Sequence, residues 1–180
     1  MYKRQIDDFE VVLSEGFDNS QDNTNLDYSG WVNFAEQGTE LWTEQVFRGN
    51  GYTEFSAYRT FEDVNIGWLV TPGFDLTGST NSFINFKLAQ HHLDDDQNNT
   101  LEVFISNDFD GSNVLSATWN KLSVQIPNMS NSWYAFQDSG LIDVSSYEGT
   151  IHIGFKYVGS GTNTSLDGGY FVDDILFLKK

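Results

Sequence analysis

Two short segments near the ends of the chain carry residues that could hold a metal ion. Ser14-Glu15-Gly16-Phe17-Asp18 lies near the N-terminus, and Gly169-Tyr170-Phe171-Val172-Asp173-Asp174-Ile175-Leu176-Phe177 near the C-terminus. Each sets carboxylates in or beside a strand-like apolar run. A sandwich that pairs its first and last strands brings those carboxylates together, where they lose hydration and repel one another. A shared cation resolves both problems. Ca²⁺ takes roughly six to eight oxygen ligands, carboxylate and carbonyl alike, so the irregular edge of a sandwich suits it. Asp173 and Asp174 are adjacent, so on a strand they point to opposite faces. Asp173 shares the parity of Phe171, Ile175 and Phe177, which makes it the expected inward ligand and leaves Asp174 outward. At the other end Glu15 and Asp18 are both candidates. The competing explanation is that these acids accept hydrogen bonds from turn amides.

Other constellations carry less. His91-His92-Leu93-Asp94-Asp95-Asp96 has metal-ligand residue types. Adjacent histidines on a strand face opposite ways, however, and the acids run into Gln97-Asn98-Asn99, a solvated loop composition. Asn107-Asp108-Phe109-Asp110-Gly111-Ser112-Asn113 resembles the start of a calcium loop but lacks the glutamate that closes one, and a tight Asp-Gly turn explains it. Aromatic rings can stack on the apolar C–H faces of sugars. Of the five tryptophans, Trp68 reads as core. Trp133-Tyr134 follows a polar stretch and is the better stacking candidate, with Trp119 a further one. No G-x-S-x-G, H-E-x-x-H or phosphate-binding glycine loop occurs, so a catalytic role is disfavoured.

The elements that must position these residues are strands. Leu101, Val103 and Ile105 alternate with Glu102 and Phe104. Ile151, Ile153, Phe155 and Tyr157 alternate with His152, Gly154 and Lys156, and Ile84, Phe86 and Leu88 alternate with Asn85 and Lys87. This period of two marks half-buried antiparallel strands. Further strands are expected over residues 9–13, 41–47, 53–58, 67–70, 119–124, 133–137 and 171–178. Between them lie turns rich in Asn, Asp and Gly. No amphipathic helix, internal repeat or linker is evident. About ten or eleven strands with frequent turns predict an all-β jelly-roll sandwich of two antiparallel sheets, a single domain over residues 1–180.

Bulk properties narrow the function. The chain has 180 residues, of which 39% are hydrophobic and 16% aromatic, enough for a substantial core. A net charge of −17 disfavours nucleic acid and anionic membrane surfaces and favours cations. Cysteine is absent, which removes disulfides and thiol chemistry. No run of about 18 apolar residues is present to span a membrane. Met1-Tyr2-Lys3-Arg4 is not followed by an apolar signal core, so the chain is expected to be a trimmed module of a larger secreted protein.

The order Glu15-x-Phe17-Asp18, Gly30-Trp31, Leu41-Trp42, Gly49-Asn50-Gly51-Tyr52 and Trp68-Leu69-Val70-Thr71-Pro72-Gly73-Phe74-Asp75-Leu76, closing with Gly154-Phe155-Lys156-Tyr157 and Val172-Asp173-Asp174-Ile175, resembles the choice-of-anchor J type domain. Such domains are found in secreted and surface proteins of Bacteroidetes and are similar to cleaved-adhesin and MAM-like domains. The two ends are also similar to jelly-roll carbohydrate-binding modules. The resemblance implies a galactose-binding-like jelly roll with a structural Ca²⁺. The ion would be held by Glu15 or Asp18 together with Asp173, supplemented by backbone carbonyls around Asn50. It implies non-catalytic extracellular or cell-surface binding of a glycan or a surface protein, by a monomeric module. The alternatives are a protein-interaction or spacer module, and a carbohydrate-active enzyme.

Overall fold

The structure is a computed structural model and describes residues 8–180; Met1 to Arg4 lie outside the described residues. The alternating segments form strands. In chain order these are β1 (Glu10–Glu15), β2 (Thr24–Asn25), β3 (Val32–Gln37), β4 (Thr43–Phe47), β5 (Asn50–Ser56), β6 (Asn65–Val70) and β7 (Phe74–Asp75). There follow β8 (Ser82–His91), β9 (Thr100–Ser106), β10 (Asn120–Lys121), β11 (Gln137–Asp138), β12 (Ile142–Asp143), β13 (Thr150–Gly159) and β14 (Gly169–Lys179). The one helical element among the described residues is a 3-10 turn, Val114–Ser116.

Two antiparallel sheets result. The first runs β11-β8-β14-β5-β4-β2, with β1 also on β14 and β12 also on β8. The second runs β10-β9-β13-β6-β3, with β7 also on β13. The expected parities hold along β8, β9 and β13. Ile84, Phe86 and Leu88 of β8 face Val103, Ile105, Ile153 and Phe155 of the other sheet in one buried core. Phe86 meets Phe155 edge-on at 5.2 Å, and Phe55 stacks on Tyr157 at 4.4 Å. Each such side chain contributes roughly 1.5–3 kcal/mol by leaving water. A smaller cluster of Trp68, Val70, Phe109 and Val114 covers the outer face of the second sheet. The fold is an all-β jelly-roll sandwich.

Candidate binding groove and cation site

β14 changes neighbours partway along, and this builds the first site. Gly169 to Val172 pair with β5, whereas Ile175 to Lys179 pair with β1. At the changeover the register against β8 shifts between Asp173 and Leu176, and Asp174 takes φ +47°. The bulge turns the strand over. Tyr170 and Val172 enter the core before it, Ile175 and Phe177 after it. Phe171 and Asp173 therefore share the outer face, which corrects the expectation that Asp173 has the same side as Ile175 and Phe177. A simple alternation cannot see the extra residue.

Asp173 is nevertheless 3% exposed, while Asp174 is open to solvent. The Asp173 carboxylate accepts from Asn50 Nδ2 at 3.0 Å and from the Asp174 N–H at 2.7 Å. Burial pushes its pKa up, against the pull of those two hydrogen bonds. Lys87 stands opposite in register, but its ammonium donates to Asp174 Oδ2 at 2.5 Å. Asp173 is thus a buried carboxylate whose hydrogen-bond donors are both neutral.

The N-terminal segment arrives at the same junction. Glu15 is in register with Ile175. A Cβ on Gly16 would stand 3.3 Å from Asp174 Oδ1 and 3.8 Å from Asp18 Oδ2, so both carboxylates flank this backbone. A Cβ on Gly51 would stand 1.9 Å from the Phe17 carbonyl oxygen, so only glycine lets β5 approach it. Glu15 Oε1 accepts from the Phe17 N–H at 2.7 Å, the turn-amide role weighed above. Among the described residues no three His, Asp or Glu side chains converge into a ready cage. The donors assembled here are one buried carboxylate, nearby acids and backbone carbonyls, all oxygen, a set that suits a hard cation and not a transition metal.

The second site lies farther along the same outer face. β4, β5 and the end of β8 floor a groove of about 510 Å³, walled by Tyr134 and Asp167. His91 is one of its lining residues. Its Nε2 meets Glu54 Oε1 at 2.7 Å, and its Nδ1 meets His92 Nδ1 at 2.8 Å. In a neutral His91 the two nitrogens divide the roles, Nε2–H donating to Glu54 and Nδ1 accepting from His92. The ring packs against Tyr134 at 5.4 Å and Phe171 at 5.1 Å, and those two rings meet each other at 5.8 Å. A Cβ on Gly169 would stand 2.1 Å from His91 Nε2, so that glycine makes the room. The two histidines were expected to diverge. β8 ends at His91, and His92 takes φ +50°, which brings the second imidazole back to the first.

Trp133 and Tyr134 are 50% and 56% exposed. Trp133 packs on His92 with ring centroids 4.1 Å apart. The segment is fastened from beneath: Gln90 Nε2 donates to the Asn131 carbonyl at 2.8 Å, and the Tyr134 N–H donates to the Gln90 carbonyl at 2.8 Å. Trp119 is not brought to this place. It lies against Trp68 and Phe109 beside the second sheet, with its indole N–H on the Val114 carbonyl. Burial pushes the Asp167 carboxyl up, with Asp94 adding to it. Glu54 and Asp167 carried no sequence signal, since 26 acids are spread along the chain. The two acidic loops behave as turns: Asp95 accepts from the N–H groups of Gln97 and Asn98, and Asp110 from those of Ser112 and Asn113.

No protein-family profile matches the chain, and no curated protein does. Solved structures do. The K3 cleaved adhesin domain of Lys-gingipain from Porphyromonas gingivalis aligns with TM-score 0.61 and 17% identity, over 93% of this chain and 98% of that one. The likeness is one of fold. The mannan-recognising carbohydrate-binding module TmCBM27 aligns with TM-score 0.50 and 13% identity, over 96% of this chain and 98% of that one. The CBM22-2 xylan-binding domain of Xyn10C from Paenibacillus barcinonensis aligns with TM-score 0.51 and 10% identity, over 93% and 99%.

Proposed function

We propose that this protein is a non-catalytic, extracellular or cell-surface module that binds a glycan in the groove beside Trp133 and Tyr134. The observation that carries this is an open groove of about 510 Å³ lined by the half-exposed Tyr134 with Glu54, His92 and Asp167, and flanked by the half-exposed Trp133, whose ring packs on His92. Rings supply stacking on the sugar's C–H face, and the polar groups supply partners for its hydroxyls. Anchoring of the Trp133 segment by Gln90 reduces the ordering entropy that a ligand must overcome. The similar folds include modules whose stated ligands are mannan and xylan, which favours a polysaccharide over a protein partner. Glycan-array binding that is lost in Trp133→Ala supports this function, and an array without a single hit refutes it.

A structural Ca²⁺ belongs to the same proposal. Asp173 would ligate it, with Glu15 or Asp18 and the Phe17 carbonyl. Asn50, which now donates to Asp173, would turn its amide over to offer oxygen. When bound, the ion supplies the positive charge that the buried carboxylate lacks.

A second reading has one observation behind it. Asp167, its pKa raised by burial, lines the same groove as Glu54, and a carboxyl of raised pKa that shares a groove with a second carboxyl is what a glycosidase uses. Reducing sugar released from a bound glycan by the wild type but not by Asp167→Asn would establish it; intact glycan recovered after long incubation would dismiss it.

A further inference from the structure

A second cavity, of about 250 Å³, opens beside the groove and shares Tyr134 with it. Phe47, Tyr52, Tyr134, Phe136 and Phe171 line it, and all five are aromatic. The rings stand at angles, so they form walls and not a flat platform. Tyr52 meets Phe136 at 5.7 Å and 70°, and Phe171 at 4.9 Å and 52°. A sugar needs partners for its many hydroxyls, and this lining offers only two phenol groups. The surroundings are negative. Glu54 follows Tyr52 two residues along β5 on the same outer face, and the chain carries a net charge of −17. Aromatic faces add their own negative potential. The chain already draws one cation to this rim, since the Arg48 guanidinium lies 5.1 Å from the centroid of the Phe47 ring. Lys87, the other nearby cation, is tied to Asp174.

We propose that this all-aromatic cavity binds a quaternary ammonium group, with trimethylammonium as the fitting head. A guest here must be cationic to match the potential and must need few hydrogen-bond acceptors, since the walls provide only two phenol oxygens. A primary ammonium fails the second condition, because its three N–H donors would be stripped of water. A quaternary ammonium meets both, being a diffuse cation with an apolar surface that packs against ring faces. The site is separate from the glycan groove, since Phe47 and Phe136 do not line the latter.

The test titrates the protein with choline and tetramethylammonium, and with 3,3-dimethylbutan-1-ol, the neutral isostere of choline. Calorimetry or chemical-shift perturbation follows binding. Choline should bind at least about tenfold more tightly than the isostere, because cation–π attraction is absent from the latter. Phe47 is 61% exposed, so Phe47→Ala leaves the circular dichroism spectrum and melting intact while weakening choline at least fivefold, and Phe47→Tyr restores it. Equal affinity for choline and its isostere, no binding of either cation, or indifference to Phe47→Ala would overturn the proposal. Phosphatidylcholine vesicles identify the source: cosedimentation that choline competes away assigns the group to a lipid headgroup, and choline binding without cosedimentation assigns it to a soluble or glycan-borne carrier. Either result upholds the site. Because Trp133 does not line this cavity, choline binding survives Trp133→Ala even where glycan binding is lost.

Discussion

Replacing Asp173 by asparagine should change stability in opposite directions with and without calcium. In chelator the wild-type carboxylate is 3% exposed and bonded only to neutral donors. Its folded pKa is raised by burial above the ordinary aspartate value of about 3.9. The folded state then holds this proton more tightly than the unfolded state does. Such a group adds stability at low pH and loses it as pH rises through the window between the two pKa values. At neutral pH the ionised carboxylate therefore detracts from the cation-free fold. Asp173→Asn removes that charge; its amide oxygen accepts from the Asp174 N–H, and its NH2 donates to the Asn50 oxygen once that amide is turned over. In chelator the variant should melt at or above the wild-type temperature. With Ca²⁺ at a hundred times its Kd, the wild type gains about 2.7 kcal/mol. For a domain of this size that is a rise of about 5–10 °C, and the variant should gain almost none of it. Differential scanning calorimetry in EDTA and in millimolar CaCl₂ reads both effects. A wild-type melting temperature unmoved by chelation removes the ion. A variant that melts well below wild type in chelator refutes the electrostatic reasoning, because Asp173 would then be stabilising unaided.

Four further outcomes are expected. In chelator, the stability difference between wild type and Asp173→Asn should shrink toward zero below about pH 4 and widen in favour of the variant as pH rises, as followed by urea titration. Trp133→Ala should weaken glycan binding at least about tenfold in affinity electrophoresis, enough to lose the array signal, while half-exposure of the ring keeps the melting temperature within about 2 °C. Gly51→Ala should destabilise by roughly 1–3 kcal/mol or more, because the new methyl meets the Phe17 carbonyl oxygen at 1.9 Å; a variant as stable as wild type would show that β5 can move away. Phe86→Ala should lose about 3–5 kcal/mol, since its ring is buried against Phe155, and a denaturant midpoint close to wild type would contradict the placement of the core.

β8 and β13 were legible because large apolar residues alternate along them with polar or small ones, as for Ile84 to Leu88 and Ile151 to Tyr157, although the second face of β13 is buried as well. The strand of Val32 to Gln37 was missed. It sits at the edge of its sheet with every residue part-exposed but the last, which is exposed, so no face was marked by its residue types. Residues 119–124 and 133–137 read as strands from their aromatics, yet only Asn120–Lys121 and Gln137–Asp138 pair. Those aromatics cap the sheets and do not extend them. The convergence of the two chain ends was readable from their apolar runs. The face of Asp173 was not, because a bulge at Asp174 inserts one residue into the count. The groove was half legible: Trp133 and Tyr134 stood out by their polar neighbours, whereas His91 was discounted on strand geometry that His92 departs from.

The borders of the two sheets bear on how the domain behaves at high concentration. β2 and β11 close the first sheet and β10 one side of the second, each with two residues. The longer borders are interrupted too: β3, Val32 to Gln37, shifts register between Ala35 and Gln37 and carries Glu36, and β1, which among the described residues pairs only with β14, shifts between Val11 and Leu13 and carries Glu10 and Glu15. Free strand borders are templates for unwanted pairing with other chains, and brevity, bulges and charge are the usual protections against it. A domain that displays several aromatic rings on one surface can therefore be strung in tandem copies without its neighbours knitting into fibrils.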